Sequence, residues 1–275
     1  GDPAGAGPYF RAEYLADVAV IEFGKPVIAL CDGIVMGGGA GLAQHSQHIV
    51  MTETTRFAMP ESAIGLFPDV GASLFLGRCP KSVARLMGMT GHIVGAADCL
   101  LLGLATAQVP TGSLADLKEK LLHGHVDQID SIISQFQTDA GQSLLASQRQ
   151  LIDHIFADGA VESMRDRAVD LAGKMPHNKL LNAIVTAFET RCPLSIKLFD
   201  RLLAVTDHLT DPVAAIELDF HLALRLTKRA DFAEGIRAII IDKDQAPQWT
   251  PNSLEAVTET MLDAVFDRSG LPSLR

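Results

Sequence analysis

The chain has 275 residues, of which 48% are hydrophobic and 20% charged, and its formal net charge is −10. That profile predicts a soluble globular protein with enough length to bury one large or two modest cores. The acidic balance argues against nucleic acid as a partner, and no apolar run reaches the roughly 18–20 residues that cross a bilayer, so no membrane partner is expected.

In chain order, residues 1–8 are rich in Gly and Pro and predict a mobile loop. Gly1 in place of Met suggests a natural chain that extends further upstream. Apolar residues at helical spacing predict a helix over 9–23. The run Pro26-Val27-Ile28-Ala29-Leu30-Cys31 predicts a strand buried on both faces. Gly37-Gly38-Gly39 then opens a small-residue segment, 40–43, that can begin a helix. Two more strands are expected at 48–51 and 56–59, followed by a Gly/Pro-rich loop from Pro60 to Gly71. Beyond Val83 the three- and four-residue spacing predicts helices at 86–89, 96–102, 114–123, 126–136 and 144–156, then at 161–175, 179–190, 195–206 and 212–227. The chain end is expected to be irregular. The overall expectation is α/β followed by α, divided into 1–112, 113–190 and 191–275.

Cys31, Cys79, Cys99 and Cys192 lack CxxC or Cys/His finger spacing, which predicts buried free thiols in a reducing, intracellular compartment. There is no secretory signal pattern. His45 and His48 form the one helix-like histidine pair, and no HExxH pattern occurs, so no metal site is expected.

Two features can carry chemistry. In Met36-Gly37-Gly38-Gly39-Ala40-Gly41 the missing side chains let a ligand reach backbone N–H groups. At a helix start those groups are free and favour negative charge, which suits an oxyanion. A tight turn permitting close strand–helix packing fits the same residues. Leu42 breaks a dinucleotide fingerprint, and no Gly-Lys-Ser/Thr follows to make a P-loop. The second feature is the acid pair Glu61 and Asp69, set among Met, Phe, Leu and Ile. On one straight helix they would lie roughly 12 Å apart. Gly65 and Pro68 oppose that helix, and a reversing loop could bring both carboxylates into one pocket, where desolvation would raise their pKa values for acid–base work. A helix-start acid and a turn acid are the plainer alternative.

The stretch from Lys25 to Gly39 resembles the strand and glycine turn of crotonases. The block Phe57 to Gly71 resembles their catalytic segment, and its form Pro-Glu-Ser-Ala-Ile-Gly-Leu-Phe-Pro-Asp-Val-Gly is similar to 3-hydroxyisobutyryl-CoA hydrolases. Asp231 to Ala238 is shared in style with crotonases, and Ile241 to Trp249 again with the hydrolases. The resemblance runs from about Tyr9 to Pro251, weakest across the helical middle.

It implies a crotonase-like spiral of β-β-α turns followed by a mainly helical C-terminal region that closes over the site. It also implies hydrolysis of a short 3-hydroxyacyl-CoA, a step of valine degradation. Residue by residue, the resemblance puts an oxyanion donor at the Gly38 N–H, beside Gly37, and catalytic acids at Glu61 and Asp69. Glu13 falls on a substrate-contacting position, although a solvent-facing helical acid fits it as well. The second oxyanion donor belongs to an Ala-Gly-Gly-Asp-like segment nearer the N-terminus, for which this sequence shows no match. Enoyl-CoA hydratases carry two glutamates, one just after the glycine triplet. Here that slot is Gly41, while Asp69 stands where hydratases usually have glycine. Hydrolysis is therefore expected, with hydration, isomerisation or a non-catalytic binding subunit as alternatives. The resemblance implies no metal or redox cofactor, coenzyme A being part of the acyl-CoA substrate. It implies a possible homo-oligomer, in the cytoplasm of a bacterium or the mitochondrial matrix of a eukaryote. Arg78, Lys81, Lys228 and Arg229 could meet the coenzyme's phosphates or simply be solvated surface charges.

Overall fold

In a computed structural model the protein is described over residues 3–275. The front of the chain is a spiral. Strand β1 (Ile28–Cys31) turns at Asp32-Gly33 into β2 (Ile34–Met36), which leads into helix α2 (Gly38–Gln44); helix α1 (Pro3–Ile21) precedes them. The next circuit repeats the path through β3 (His48–Met51) and β4 (Arg56–Ala58). Stacked circuits put like strands side by side, so every ladder is parallel: β1 pairs with β3, β2 with β4, and β3 with β5 (Ala107–Gln108). In register, Ile28 faces His48 and Ile34 faces Arg56.

The corners of successive circuits are bound to one another. Asp32 Oδ1 accepts from Thr52 Oγ1 at 2.7 Å, from Thr54 Oγ1 at 2.6 Å and from Thr111 Oγ1 at 3.1 Å. These donors hold the Asp32 carboxyl below its ordinary range, the Thr54 hydroxyl contributing most. The expectation that β1 is buried on both faces is corrected. It is the outer strand of the order β1-β3-β5, and Ile28, Ala29 and Leu30 are only half-buried, whereas three of the four residues of central β3 are buried.

The rear of the chain is helical, as expected. Helix α1 begins at Pro3, so the predicted loop is helical over residues 3–8 and Pro8 lies inside the helix; residues 1 and 2 lie outside the described region. Pro8 forfeits one helical hydrogen bond. Packing of α1 against the helix Pro212–Leu226 outweighs that loss. Gly7 lies at this contact, where a Cβ would meet Leu224 Cδ2 at 3.4 Å, an ordinary packing distance. The supposedly irregular end contains the helix Ala230–Ile236, the π turn Arg237–Ile241 and the helix Glu259–Phe266. Expected helices at 126–136 and 144–156 are each broken into two pieces. The main core draws residues from Phe10 to Leu274. A second cluster, around Val50, Val109, Leu117, Ile132 and Ile133, covers the other face of the three-stranded sheet. All four cysteines are free and buried. No described helix is long and apolar enough to cross a membrane.

Candidate active site

The glycine run sits where β2 ends and α2 begins. Gly37 has φ 56 and ψ −132, a conformation open to glycine and costly for other residues. This turn leaves the Gly38 N–H at the first position of α2, where no preceding helical carbonyl can accept it. No acceptor among the described residues meets it. A Cβ on Gly38 would collide with the Glu13 carboxylate, and one on Gly37 would lie 3.2 Å from Glu61 Oε1. Two acids from separate elements therefore flank the bare glycine backbone.

Glu61 begins a short 3-10 turn, Glu61–Ile64, that closes at Gly65 with φ 70. The C-terminal region packs directly on this turn: a Cβ on Gly65 would lie 2.6 Å from the Asp231 carbonyl oxygen. The turn that carries Glu61 is thereby packed against the helix Ala230–Ile236. Asp69 precedes a turn of two left-handed residues, Val70 at φ 51 and Gly71 at φ 79, from which α3 (Ala72–Phe75) starts. For a β-branched residue that conformation costs on the order of 1–3 kcal/mol, so surrounding contacts must enforce it. Asp69 Oδ2 accepts from Tyr14 Oη at 2.6 Å.

The structure thus brings Glu13, Gly37, Gly38, Glu61 and Asp69 into one neighbourhood. Glu61 and Asp69 are only 6% and 4% exposed, so each carboxylate must ionise largely without water. Burial, then the neighbouring Asp69 and Glu13 charges, push the Glu61 carboxyl well above its ordinary range, while Arg191 pulls it down. Asp69 is pushed up to about 7 by burial, against the lowering effect of the Tyr14 hydroxyl. Glu61 Oε2 is buried with no hydrogen-bond partner among the described residues, whereas Asp69 has its tyrosine, so Asp69 is the better solvated of the two as an anion. Glu13 is half-buried and raised by burial alone.

Four further residues complete the neighbourhood; the sequence reading gives none of them a place in the site, and His45 enters it only as half of a histidine pair. Tyr14 is Asp69's partner. Asp17 is 1% exposed with both carboxylate oxygens unpartnered among the described residues, and burial followed by the Asp69 and Glu13 charges raises it to about 8. Asp219, from the helix Pro212–Leu226, accepts the Gly71 N–H at 2.8 Å. His45 Nε2 donates to the Val70 carbonyl at 2.9 Å. One signal was available: Glu13 and Asp17 stand four apart and share a face of α1. His48 lies elsewhere, near Asp130. Among the described residues no cluster of His, Cys, Asp and Glu could hold a metal ion. Lys81 pairs with Asp158, and Arg229 with Asp231 and the Thr250 carbonyl.

A sequence profile described as enoyl-CoA hydratase/isomerase matches residues 2–266. The chain belongs to the enoyl-CoA hydratase/isomerase family. Within this family it is 35% identical to the mitochondrial 3-hydroxyisobutyryl-CoA hydrolase of Gallus gallus, over 97% of this chain and 70% of that protein. It is also 35% identical to a probable 3-hydroxyisobutyryl-CoA hydrolase 2 of Arabidopsis thaliana, over 94% of this chain and 70% of that one. Among solved structures, an enoyl-CoA hydratase from Rhodobacter sphaeroides 2.4.1 superposes with a TM-score of 0.88 at 30% identity, covering all of this chain and 78% of that one. Family members thus share the spiral under names for different reactions, and the site has to distinguish them.

At Gly41 the site is closely packed. A Cβ at position 41 would lie 2.6 Å from Val70 Cβ and 3.1 Å from Asp17 Oδ1. The space beside Gly41 is therefore filled by Val70 and by the Asp17 carboxylate arriving from α1. Even Gly41→Ala is expected to overpack this contact and destabilise the protein by about 1–3 kcal/mol in denaturant unfolding. A wild-type midpoint for that variant would show that the space can accept a side chain.

Proposed function

We infer that the protein hydrolyses the thioester of 3-hydroxyisobutyryl-CoA to 3-hydroxyisobutyrate and coenzyme A. The observation that carries this reading is the convergence of the Gly38 N–H, Glu61 and Asp69, with the space beside Gly41 filled by Val70 and Asp17. The named relatives at 35% identity support the same chemistry.

In this reading the thioester carbonyl oxygen lies on the Gly38 N–H, which stabilises the developing oxyanion; one such donor is typically worth about 3–4 kcal/mol at the barrier. Ionised Glu61 supplies the electron pair, either by attacking the carbonyl carbon or by taking a proton from the attacking water. When Glu61 acts as base, water bonds to the carbonyl carbon, the C–S bond breaks and the proton held by Glu61 passes to the sulfur. When Glu61 attacks, the C–S bond breaks, the thiolate takes a proton from solvent, and water then hydrolyses the acyl-Glu61 anhydride to the free acid and restores the carboxylate. Asp69, steadied by Tyr14, receives the substrate's 3-hydroxyl, and Glu13 borders the same pocket. No metal or redox cofactor enters these steps. Assembly as a homo-oligomer belongs to the same reading, as does a mitochondrial compartment in a eukaryote or the cytoplasm in a bacterium.

The reaction is tested by offering 3-hydroxyisobutyryl-CoA and an enoyl-CoA side by side. Free thiol should appear from the first, with no loss of enoyl absorbance from the second. The reverse pattern would make the protein a hydratase. Asp69→Asn should lower kcat on the 3-hydroxyacyl substrate roughly tenfold more than on isobutyryl-CoA, because a hydrogen bond to a charged group is lost only with the hydroxyl. Equal losses would remove the hydroxyl-binding role.

The raised carboxyls also predict a pH profile. Only ionised Glu61 can act, so kcat/KM should rise with pH along an acid limb lying well above the ordinary glutamate range. Asp69→Asn removes a nearby negative charge and should move that limb to lower pH. Arg191→Met removes a positive one and should move it to higher pH. A limb near pH 4.5 in all three proteins would contradict the assignment of Glu61.

A further inference from the structure

The turn that carries Asp69 is held from three directions. Tyr14 of α1 donates to Asp69 Oδ2 at 2.6 Å, His45 at the end of α2 donates to the Val70 carbonyl at 2.9 Å, and Asp219 of the helix Pro212–Leu226 accepts the Gly71 N–H at 2.8 Å. Three successive residues are thus each pinned by a different part of the chain. The middle one, Val70, is fully buried in a left-handed conformation that valine rarely adopts. The His45 ring presses on Gly71 as well, since a Cβ there would lie 2.9 Å from its Cε1. Asp219 is completely buried, 148 residues away in sequence, and among the described residues its Oδ2 has the Gly71 N–H as its one partner while Oδ1 has none. A buried acid is costly to retain for a single backbone contact when an apolar residue would fill the space. No reacting atom lies near it in the proposed mechanism.

We propose that Asp219, with His45, is a positioning residue for Asp69: together they hold the Val70-Gly71 turn in the one conformation that aims the Asp69 carboxylate at the substrate's hydroxyl. The inference rests on the reading of Asp69 as the hydroxyl-binding acid. It requires an acceptor at position 219 and does not require its charge. Burial, reinforced by the Asp69 and Asp17 charges, raises the Asp219 carboxyl well above its ordinary range, and a neutral carboxyl still offers a carbonyl oxygen to the Gly71 N–H. Desolvation likewise lowers the pKa of His45, leaving a neutral imidazole whose Nε2–H is the donor the Val70 carbonyl requires.

The test compares Asp219→Asn, which keeps an acceptor oxygen, with Asp219→Leu, which keeps bulk and removes the acceptor. Each is made in the wild-type and Asp69→Asn backgrounds. Thiol release is measured from 3-hydroxyisobutyryl-CoA and from isobutyryl-CoA. Asp219→Leu should lower kcat on the hydroxylated substrate roughly 10- to 100-fold, the scale of a misplaced catalytic group. Asp219→Asn should stay within about threefold, and Asp219→Leu should cost little further once Asp69 is already Asn. If Asp219→Leu does not fold, His45→Phe keeps a ring against Gly71, removes the donor, and must show the same selective, non-additive loss. Losses that multiply across the two backgrounds, or Asn as damaging as Leu, would overturn the positioning role while leaving Asp69 in place. An unchanged preference for the hydroxylated substrate in Asp69→Asn alone would overturn the reading of Asp69, and this inference with it.

Discussion

Replacing Glu61 with Gln should lower kcat for thiol release by roughly 10²–10⁴-fold, with KM little changed. The amide has the shape of the carboxylate and can sit in the same buried niche against Gly37 and the Asp231 segment. What it loses is the ability to ionise, and with it both ways of delivering an electron pair to the thioester. Because Glu61 Oε2 has no partner among the described residues, the amide also breaks no hydrogen bond of that oxygen with them, so stability should change little. A Gln variant with near-normal turnover would remove Glu61 from the reaction altogether.

The second large effect is on stability. Asp17 is buried with both oxygens unpartnered among the described residues, and its carboxyl is raised from 3.8 to about 8. Between those values the folded chain holds a proton that the unfolded chain has released. Stability must therefore fall as pH rises through this window, by up to about 1.4 kcal/mol per pH unit from this group. Asp17→Asn removes that dependence. Its advantage over wild type should be small near pH 4 and grow to several kcal/mol, as an order of magnitude, by pH 9. Denaturant unfolding at a series of pH values measures it. A constant difference across the range would mean that Asp17 is ionised and solvated throughout.

The parts of the site that depend on unusual residue types were visible in the sequence. A glycine triplet after a short apolar run, and acids embedded in an apolar, Pro-punctuated block, are rare enough to stand out. The α/β front and helical rear were equally legible, since short continuous runs and three- and four-residue spacing are strong signals. Strands β2 and β5, of three and two residues, are too short to show any periodicity. The start of α1 read as a loop because Gly5, Gly7 and Pro8 oppose a helix locally; contact with Leu224 and its helix, more than two hundred residues on, reverses that preference. The helix Glu259–Phe266 had a usable cue in Thr258, whose side chain caps it by accepting from the Met261 N–H. Asp17, His45 and Asp219 had less to betray them. Each sits at an ordinary helical or helix-end position; Asp17 and His45 meet the Val70 turn through the packing of α1 and α2, and Asp219 reaches it only because its own helix closes onto α1.

The most direct test is a structure of the Glu61→Gln variant with intact 3-hydroxyisobutyryl-CoA bound. The thioester oxygen should lie about 2.7–3.1 Å from the Gly38 nitrogen, with the amide of residue 61 beside the carbonyl carbon and the 3-hydroxyl on Asp69. An acyl group bound away from Gly38, or a hydroxyl pointing away from Asp69, would contradict the account.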